Sequence, residues 1–307
     1  MTREDFYFLS NDNKTKIHAV KYTPYGEIKG VFQICHGMVE MIQRYDDFAR
    51  FMAENGYVVV GNDHLGHGQS VRSKHDLGYF CKDNGNEVVV NDMQTLRLKI
   101  QEEYKDLPYF ILGHSMGSFL TRMFLTKYSE GISGAIIMGT GYKPSVVTKS
   151  GMALCKVLAS FKSWRYRSDF IDSMGMGGYN VKFGEKGGKD WLSRNKENVS
   201  NNLADPLCNF RFTLNGYYNL FKTLNYVCKE KNINKTRKDL PIFFVSGEDD
   251  PVGDYSEAVI KVFDIYKSLG FKDVRIKLYK DDRHEILNEV DNDLVYNDIY
   301  NFCEEVR

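Results

Sequence analysis

Eight short apolar runs, continuous or alternating with polar residues, punctuate the chain at about 3–9, 16–22, 29–35, 57–62, 109–113, 133–139, 241–246 and 274–279. Their lengths and polar or glycine boundaries predict β-strands. At about 42–55, 87–105, 116–128, 254–269 and 285–306 the apolar positions instead recur every three or four residues, which predicts helices, with Gly56 placed to cap the first. Strands that alternate with helices imply an α/β fold. Its sheet is expected to be largely parallel and covered on both faces, with the two N-terminal strands as an antiparallel edge. In such a sheet ligand sites lie beyond the carboxyl ends of the strands.

The rhythm breaks once. From Gly141 to about Arg237 no strand pattern occurs, and two apolar helical stretches flank a glycine-rich segment, Met174-Gly-Met-Gly-Gly178 to Gly184-Glu-Lys-Gly-Gly188. One stretch, 150–161, carries Met152, Cys155, Leu158 and Phe161; the other, after Thr213, carries Tyr217, Leu220, Phe221, Leu224 and Cys228 at helical spacing. The expected organisation is a core of residues 1–141, an inserted helical cap of 142–237, and a return to the core at 238–307. No repeat or low-complexity tail is present.

Composition narrows the partners. The 307 residues are 42% apolar and 27% charged, enough for one large core in a soluble chain, and 41 basic side chains balance 41 acidic ones. No net field draws nucleic acid or an anionic bilayer from a distance, so a neutral small molecule is the expected partner. The acidic start, Met1-Thr-Arg-Glu-Asp-Phe, is unlike a secretory leader, and nowhere do about 18 uncharged apolar residues run together. Cysteines 35, 81, 155, 208, 228 and 303 lack paired spacing and read as free thiols. A cytoplasmic setting follows as the expectation.

The chemistry begins at Gly113-His114-Ser115-Met116-Gly117, directly after an apolar run and directly before a helical pattern. The glycines permit a turn too tight for larger side chains, so the serine hydroxyl stands above the sheet edge as a nucleophile. An unassisted serine hydroxyl is weak at neutral pH and needs a base, itself oriented by a third group. Of the seven histidines, only His284 follows the last predicted strand through a short polar loop, Lys280-Asp-Asp-Arg283, to the same sheet edge. It is the expected general base and acid. The run Pro241-Ile-Phe-Phe-Val-Ser246 enters Gly247-Glu-Asp-Asp250-Pro251, where Asp250 is the preferred orienting acid because Pro251 fixes the exit from the turn. Asp249 stays open, since chain order alone does not separate adjacent carboxylates. Backbone N–H groups of Met116 and Met38 are the expected oxyanion donors, Gly37 turning the chain after Val31-Phe-Gln-Ile-Cys35. Glu40 and Arg44 either hold that loop or form a solvated pair. Asp63-His-Leu-Gly-His67 invites a metal reading, but its glycine favours a structural turn and the serine constellation needs neither metal nor cofactor.

Together, His36-Gly-Met-Val-Glu40, Asp63-His-Leu-Gly-His-Gly-Gln-Ser70, Gly113-His-Ser-Met-Gly117, Gly247-Glu-Asp-Asp250 and Arg283-His-Glu-Ile-Leu-Asn288 resemble the α/β-hydrolase superfamily. Within it the chain is similar to the monoacylglycerol lipase and lysophospholipase branch, grouped with serine aminopeptidase-like sequences. Trp191-Leu-Ser-Arg194 and Asp205-Pro-Leu207 resemble parts of that branch's cap. The resemblance implies an eight-stranded core with a cap, the triad order Ser115, Asp250, His284, and hydrolysis of esters of long or medium acyl chains. Trp164, Met174, Met176, Tyr217 and Tyr218 are then the expected contacts for a flexible apolar acyl chain, and the glycine-rich segment is where the cap would move. An amphipathic cap helix suits transient contact with a membrane surface, though an internal face explains it equally well. Peptide or amide hydrolysis is the alternative, with Glu185 or Asp205 to receive an ammonium group. A non-catalytic binding protein is another. Epoxide hydrolases carry aspartate at the elbow, where this chain has Ser115. The oligomeric state is not legible.

Overall fold

The structure, a computed structural model, describes residues 1–185 and 188–307, so positions 186 and 187 of the glycine-rich segment lie outside the described residues. Eight strands form one sheet: β1 (Thr2–Leu9), β2 (Lys16–Thr23), β3 (Gly30–Cys35), β4 (Tyr57–Asn62), β5 (Tyr109–His114), β6 (Gly134–Met138), β7 (Ile242–Gly247) and β8 (Val274–Tyr279). Their order is β1-β2-β4-β3-β5-β6-β7-β8. From β4 to β8 every pairing is parallel. Only β2 runs against its neighbours: it is antiparallel to both β1 and β4, so β1 points with the core strands and the expected antiparallel edge is a single reversed strand. This is the α/β-hydrolase fold.

Helices cover both faces: α1 (Asp46–Glu54), α2 (Gly85–Glu103), α3 (Met116–Tyr128), α4 (Ser145–Lys162), α5 (Asp169–Met176), α6 (Lys196–Ala204), α7 (Leu214–Val227), α8 (Glu230–Ile233), α9 (Glu257–Ser268) and α10 (Asn292–Val306). The continuous apolar runs predict strands buried on both sides, and β3 to β7 are buried at every position. Alternate residues feed two cores. Val31, Ile111 and Ile137 meet α2, α3 and α9, while Phe32, Leu112 and Ile136 meet α1 and α10. Gly56 caps α1 as expected, at φ +97°.

Three helices start later than their periodicity suggests: a 3-10 turn at Ile42–Tyr45 precedes α1, which begins at Asp46. Asp254, Tyr255 and Ser256 all have positive φ, so α9 begins at Glu257. Beyond the loop that carries His284, Ile286–Asn288 makes only a single 3-10 turn, and Glu289 is extended before α10 begins at Asn292. Helices α4 to α8 all lie between β6 and β7. Buried Arg122 of α3 donates to Gly141 O at 3.2 Å and Val227 O at 2.9 Å, fastening this inserted stretch to the core near both its ends. Among the described residues no helix is long and apolar enough to cross a membrane.

Candidate active site

Strand β5 delivers the chain into Ser115 at φ 52° and ψ −120°, and α3 starts one residue later. That is a costly conformation for a non-glycine residue, sustained here by its surroundings. Ser115 N–H donates to Met138 O of β6 at 3.0 Å. Neither flanking glycine uses a positive φ; they are glycine because other backbone comes too close. A Cβ on Gly113 would lie 2.4 Å from Gly117 O, and one on Gly117 would lie 2.0 Å from Cys35 O.

The loop after β8 brings His284 to the same edge, and the turn after β7 brings Asp250. The imidazole Nδ1 lies 2.9 Å from Asp250 Oδ2, with the two residues 3% and 0% exposed. Asp250 Oδ1 accepts the Val252 N–H at 2.8 Å, which settles the direction of its side chain. Asp249 engages Asp282 O through its backbone N–H instead. Nε2 of His284 makes no hydrogen bond among the described residues, and His284 and Ser115 line one cavity of about 510 Å³.

After β3, Val39 has a φ of 57° and Glu40 folds back so that its carboxylate accepts the Gly37 N–H. The N–H groups of Met38 and Met116 have no acceptor among the described residues, and both residues line the cavity. Glu40 is buried, not solvated: it accepts from Tyr45 OH at 2.8 Å, lies 3.2 Å from His114 Nδ1, and is paired with Arg44, which also binds Glu285. Burial pushes the Glu40 carboxyl upward, but His114 and Arg44 together hold it well below the usual carboxylate range. Burial opposes the charge on His114 in turn, and Glu40 raises it above the ordinary imidazole value.

His36 has a structural duty, donating from Nδ1 to Gly37 O at 2.7 Å and accepting the His64 N–H at Nε2 at 2.8 Å. Burial lowers His64 to about 4 and His67 to about 3, so both are neutral imidazoles packed into this turn.

Residues 26–291 match the family described as serine aminopeptidase, S33. The chain belongs to this family. Mouse monoglyceride lipase is 26% identical over 95% of this chain and 88% of its own length. A monoacylglycerol lipase of Mycolicibacterium smegmatis is 26% identical over 91% and 89%. A thermostable carboxyl esterase from Bacillus coagulans, solved with glycerol, superposes with a TM-score of 0.92 at 29% identity, over 100% and 99% of the two chains.

In this S33 family chain the inserted stretch supplies much of the cavity wall. Met174, Met176 and Tyr217 line it, as expected. Trp164 and Tyr218 do not: their rings pack edge-on at 5.3 Å, away from the lining. Neighbouring residues on a helix point about 100° apart, so with Tyr217 facing the cavity Tyr218 is turned off it. Phe221 and Leu224 of α7 line the wall one and two turns further along, so their helical periodicity marks a cavity face as well as a core. Trp191, within the segment that resembles part of the cap, also lines the cavity. Its indole lies 5.2 Å from the His284 ring, a contact across 93 residues that no local pattern signals. Glu185 and Asp205 lie outside the cavity lining.

Proposed function

We propose that this chain hydrolyses monoacylglycerol- or lysophospholipid-type esters through Ser115, His284 and Asp250. At the coarser level it is a carboxylic ester hydrolase of the lipase-like α/β type, consistent with its family and its relatives named as lipases and a carboxyl esterase. The observation that carries the finer reading is the 2.9 Å Asp250–His284 contact on the wall of the cavity that Ser115 enters. In this mechanism His284 Nε2 takes the hydroxyl proton as Ser115 Oγ attacks the ester carbonyl. Asp250 holds the tautomer with Nδ1–H directed at itself and stabilises the imidazolium. The unpaired N–H groups of Met38 and Met116 receive the oxyanion, each worth roughly 3 kcal/mol in comparable sites. The imidazolium returns its proton to the departing alkoxide, and a water activated by His284 then releases the acid.

The apolar wall of Val147, Met174, Met176, Phe221 and Leu224 suits an acyl chain, each buried methylene contributing about 0.8 kcal/mol. We assign residues 142–237 as the cap that supplies this wall. The six cysteines, all free and four of them buried, support a reducing, cytoplasmic setting. Amide hydrolysis is less well supported, because the carboxylates lining the cavity already have partners. Glu40 and Glu285 bind Arg44, and Asp172 accepts from Tyr217 OH.

The test is a panel of monoacylglycerols, lysophospholipids and aminoacyl amides given to wild type, Ser115→Ala, Asp250→Asn and Asp249→Asn. Turnover should rise with acyl length and vanish in Ser115→Ala, and Asp250→Asn should lose far more than Asp249→Asn. Turnover at the wild-type rate in Ser115→Ala overturns the nucleophile; a larger loss in Asp249→Asn reassigns the acid.

A further inference from the structure

Residues 190–194 of the inserted stretch are stitched to the loop that carries His284. His284 N–H donates to Trp191 O at 3.4 Å and Glu285 N–H to Leu192 O at 2.7 Å, a short strand-like pairing. Arg283 donates to Asp190 O at 2.6 Å, and Glu289 accepts the Arg194 N–H at 3.0 Å. The Arg194 guanidinium binds Asp282, Glu289 and Asp291, two of which bracket the loop. Trp191 is itself fixed, its backbone N–H donating to Asn180 Oδ1 at 2.9 Å and its ring meeting Tyr179 edge-on at 5.0 Å. So held, the indole lies 5.2 Å from the His284 ring with a 38° tilt, within reach for attraction between a cation and an aromatic face.

We infer that Trp191 is a positioning residue for the base: its indole holds the His284 ring and stabilises the imidazolium that forms when Ser115 surrenders its proton. This rests on the reading of His284 as the base.

The groups around the imidazole leave room for such a contribution. From the turn after β7, Asp250 faces Nδ1 as the direct anionic partner. From β5, the His114 ring lies 4.6 Å away, and Nε2 of His114 is 3.1 Å from His284 O while Glu40 engages Nδ1. On the base loop, Glu285 is committed to Arg44, and the Arg283 guanidinium stacks on Phe183 at 4.4 Å. Half-buried Tyr179 stands behind Trp191 and is held protonated by desolvation. The imidazolium therefore has one anion against it, and the indole adds a polarisable face without introducing a second titrating group.

The sequence contains two tryptophans, and Trp164 lies off the cavity, so Trp164→Phe leaves Trp191 as the sole indole of an otherwise intact enzyme. Protonation of a stacked imidazole quenches indole emission. In Trp164→Phe, emission should fall on acidification with a midpoint matching the acid limb of kcat/KM, and His284→Asn should abolish that step. Trp191→Leu should lower kcat about tenfold with KM nearly unchanged and move the acid limb down by roughly half a pH unit, with Trp191→Phe in between. A titration of Trp164→Phe with no His284-dependent quench overturns the inference, and because Trp191 is native there, it decides even if Trp191→Leu fails to fold. So does a folded Trp191→Leu with an unmoved limb. Full activity in His284→Asn would instead overturn the assignment of the base itself, a separate outcome.

Discussion

The two loops that meet in the cavity are held in opposite ways. The Ser115 elbow is made by its immediate surroundings: a positive φ, a hydrogen bond to the next strand and two glycines pressed against backbone. The His284 loop has little support of that kind. The backbone N–H groups of His284 and Glu285, the Arg283 guanidinium and the flanking acids Asp282 and Glu289 are engaged by residues 190–194, about 90 positions earlier in the chain. Steric exclusion by backbone has no alternative arrangement, whereas side chains and short pairings exchange partners at modest cost. The Ser115 turn is therefore a property of the sheet, and the placement of His284 is a property of the inserted stretch.

The hardest break comes at the elbow. Gly117→Ala would put a methyl 2.0 Å from Cys35 O, where only backbone can yield. Esterase activity should fall by about a thousandfold and urea unfolding should show a loss of roughly 3 kcal/mol. Retention of full activity would mean that the elbow adapts, and the contrast between the loops would disappear.

A smaller effect is expected at Arg194. Burial, with Asp291 and Glu289 nearby, pushes Asp282 up to about 7. Between about pH 4 and pH 7 the folded protein thus keeps a proton that the unfolded chain has released, so stability falls as pH rises through that window. Arg194 opposes this loss by facing the charged form. In Arg194→Ala the melting temperature should drop more steeply from pH 5 to pH 8 than in wild type, by roughly 2–4 °C, and Asp282→Asn should flatten the profile. Activity should fall about tenfold while the melt stays cooperative, because only the base loop loosens. An identical pH profile in Arg194→Ala would show that the acids are stabilised from elsewhere.

The least is expected from Trp164→Phe and Tyr218→Phe, which should change kcat/KM by less than about twofold because their rings lie off the cavity. A shift in acyl-length preference in either variant would return them to the substrate path.

This division also explains what was legible in the chain. Strands β3 to β7 follow from apolar runs whose every position is buried, and the elbow from a motif complete within five residues. Helices α5, α6 and α8 carry too weak a local signal because they are short, and α6 and α8 are mostly polar as well; α5 and α6 start at side-chain caps, Ser168 and Asn195. The late start of α10 was hidden for a related reason. Glu289 is a good helix former, but its carboxylate takes the backbone N–H groups of Arg194 and Arg283, and that long-range demand holds it extended. Asp249 and Asp250 could not be separated by position; the Val252 N–H, which orients one carboxylate towards His284, separates them.

The stitching of residues 190–194 to the base loop has a consequence for the newly made chain. A molecule whose sheet has assembled before its helical insertion docks would display a shaped serine with no organised proton acceptor beside it. On the proposed mechanism, chemical competence would then arrive together with the wall against which the substrate lies, so an immature copy should not attack esters indiscriminately.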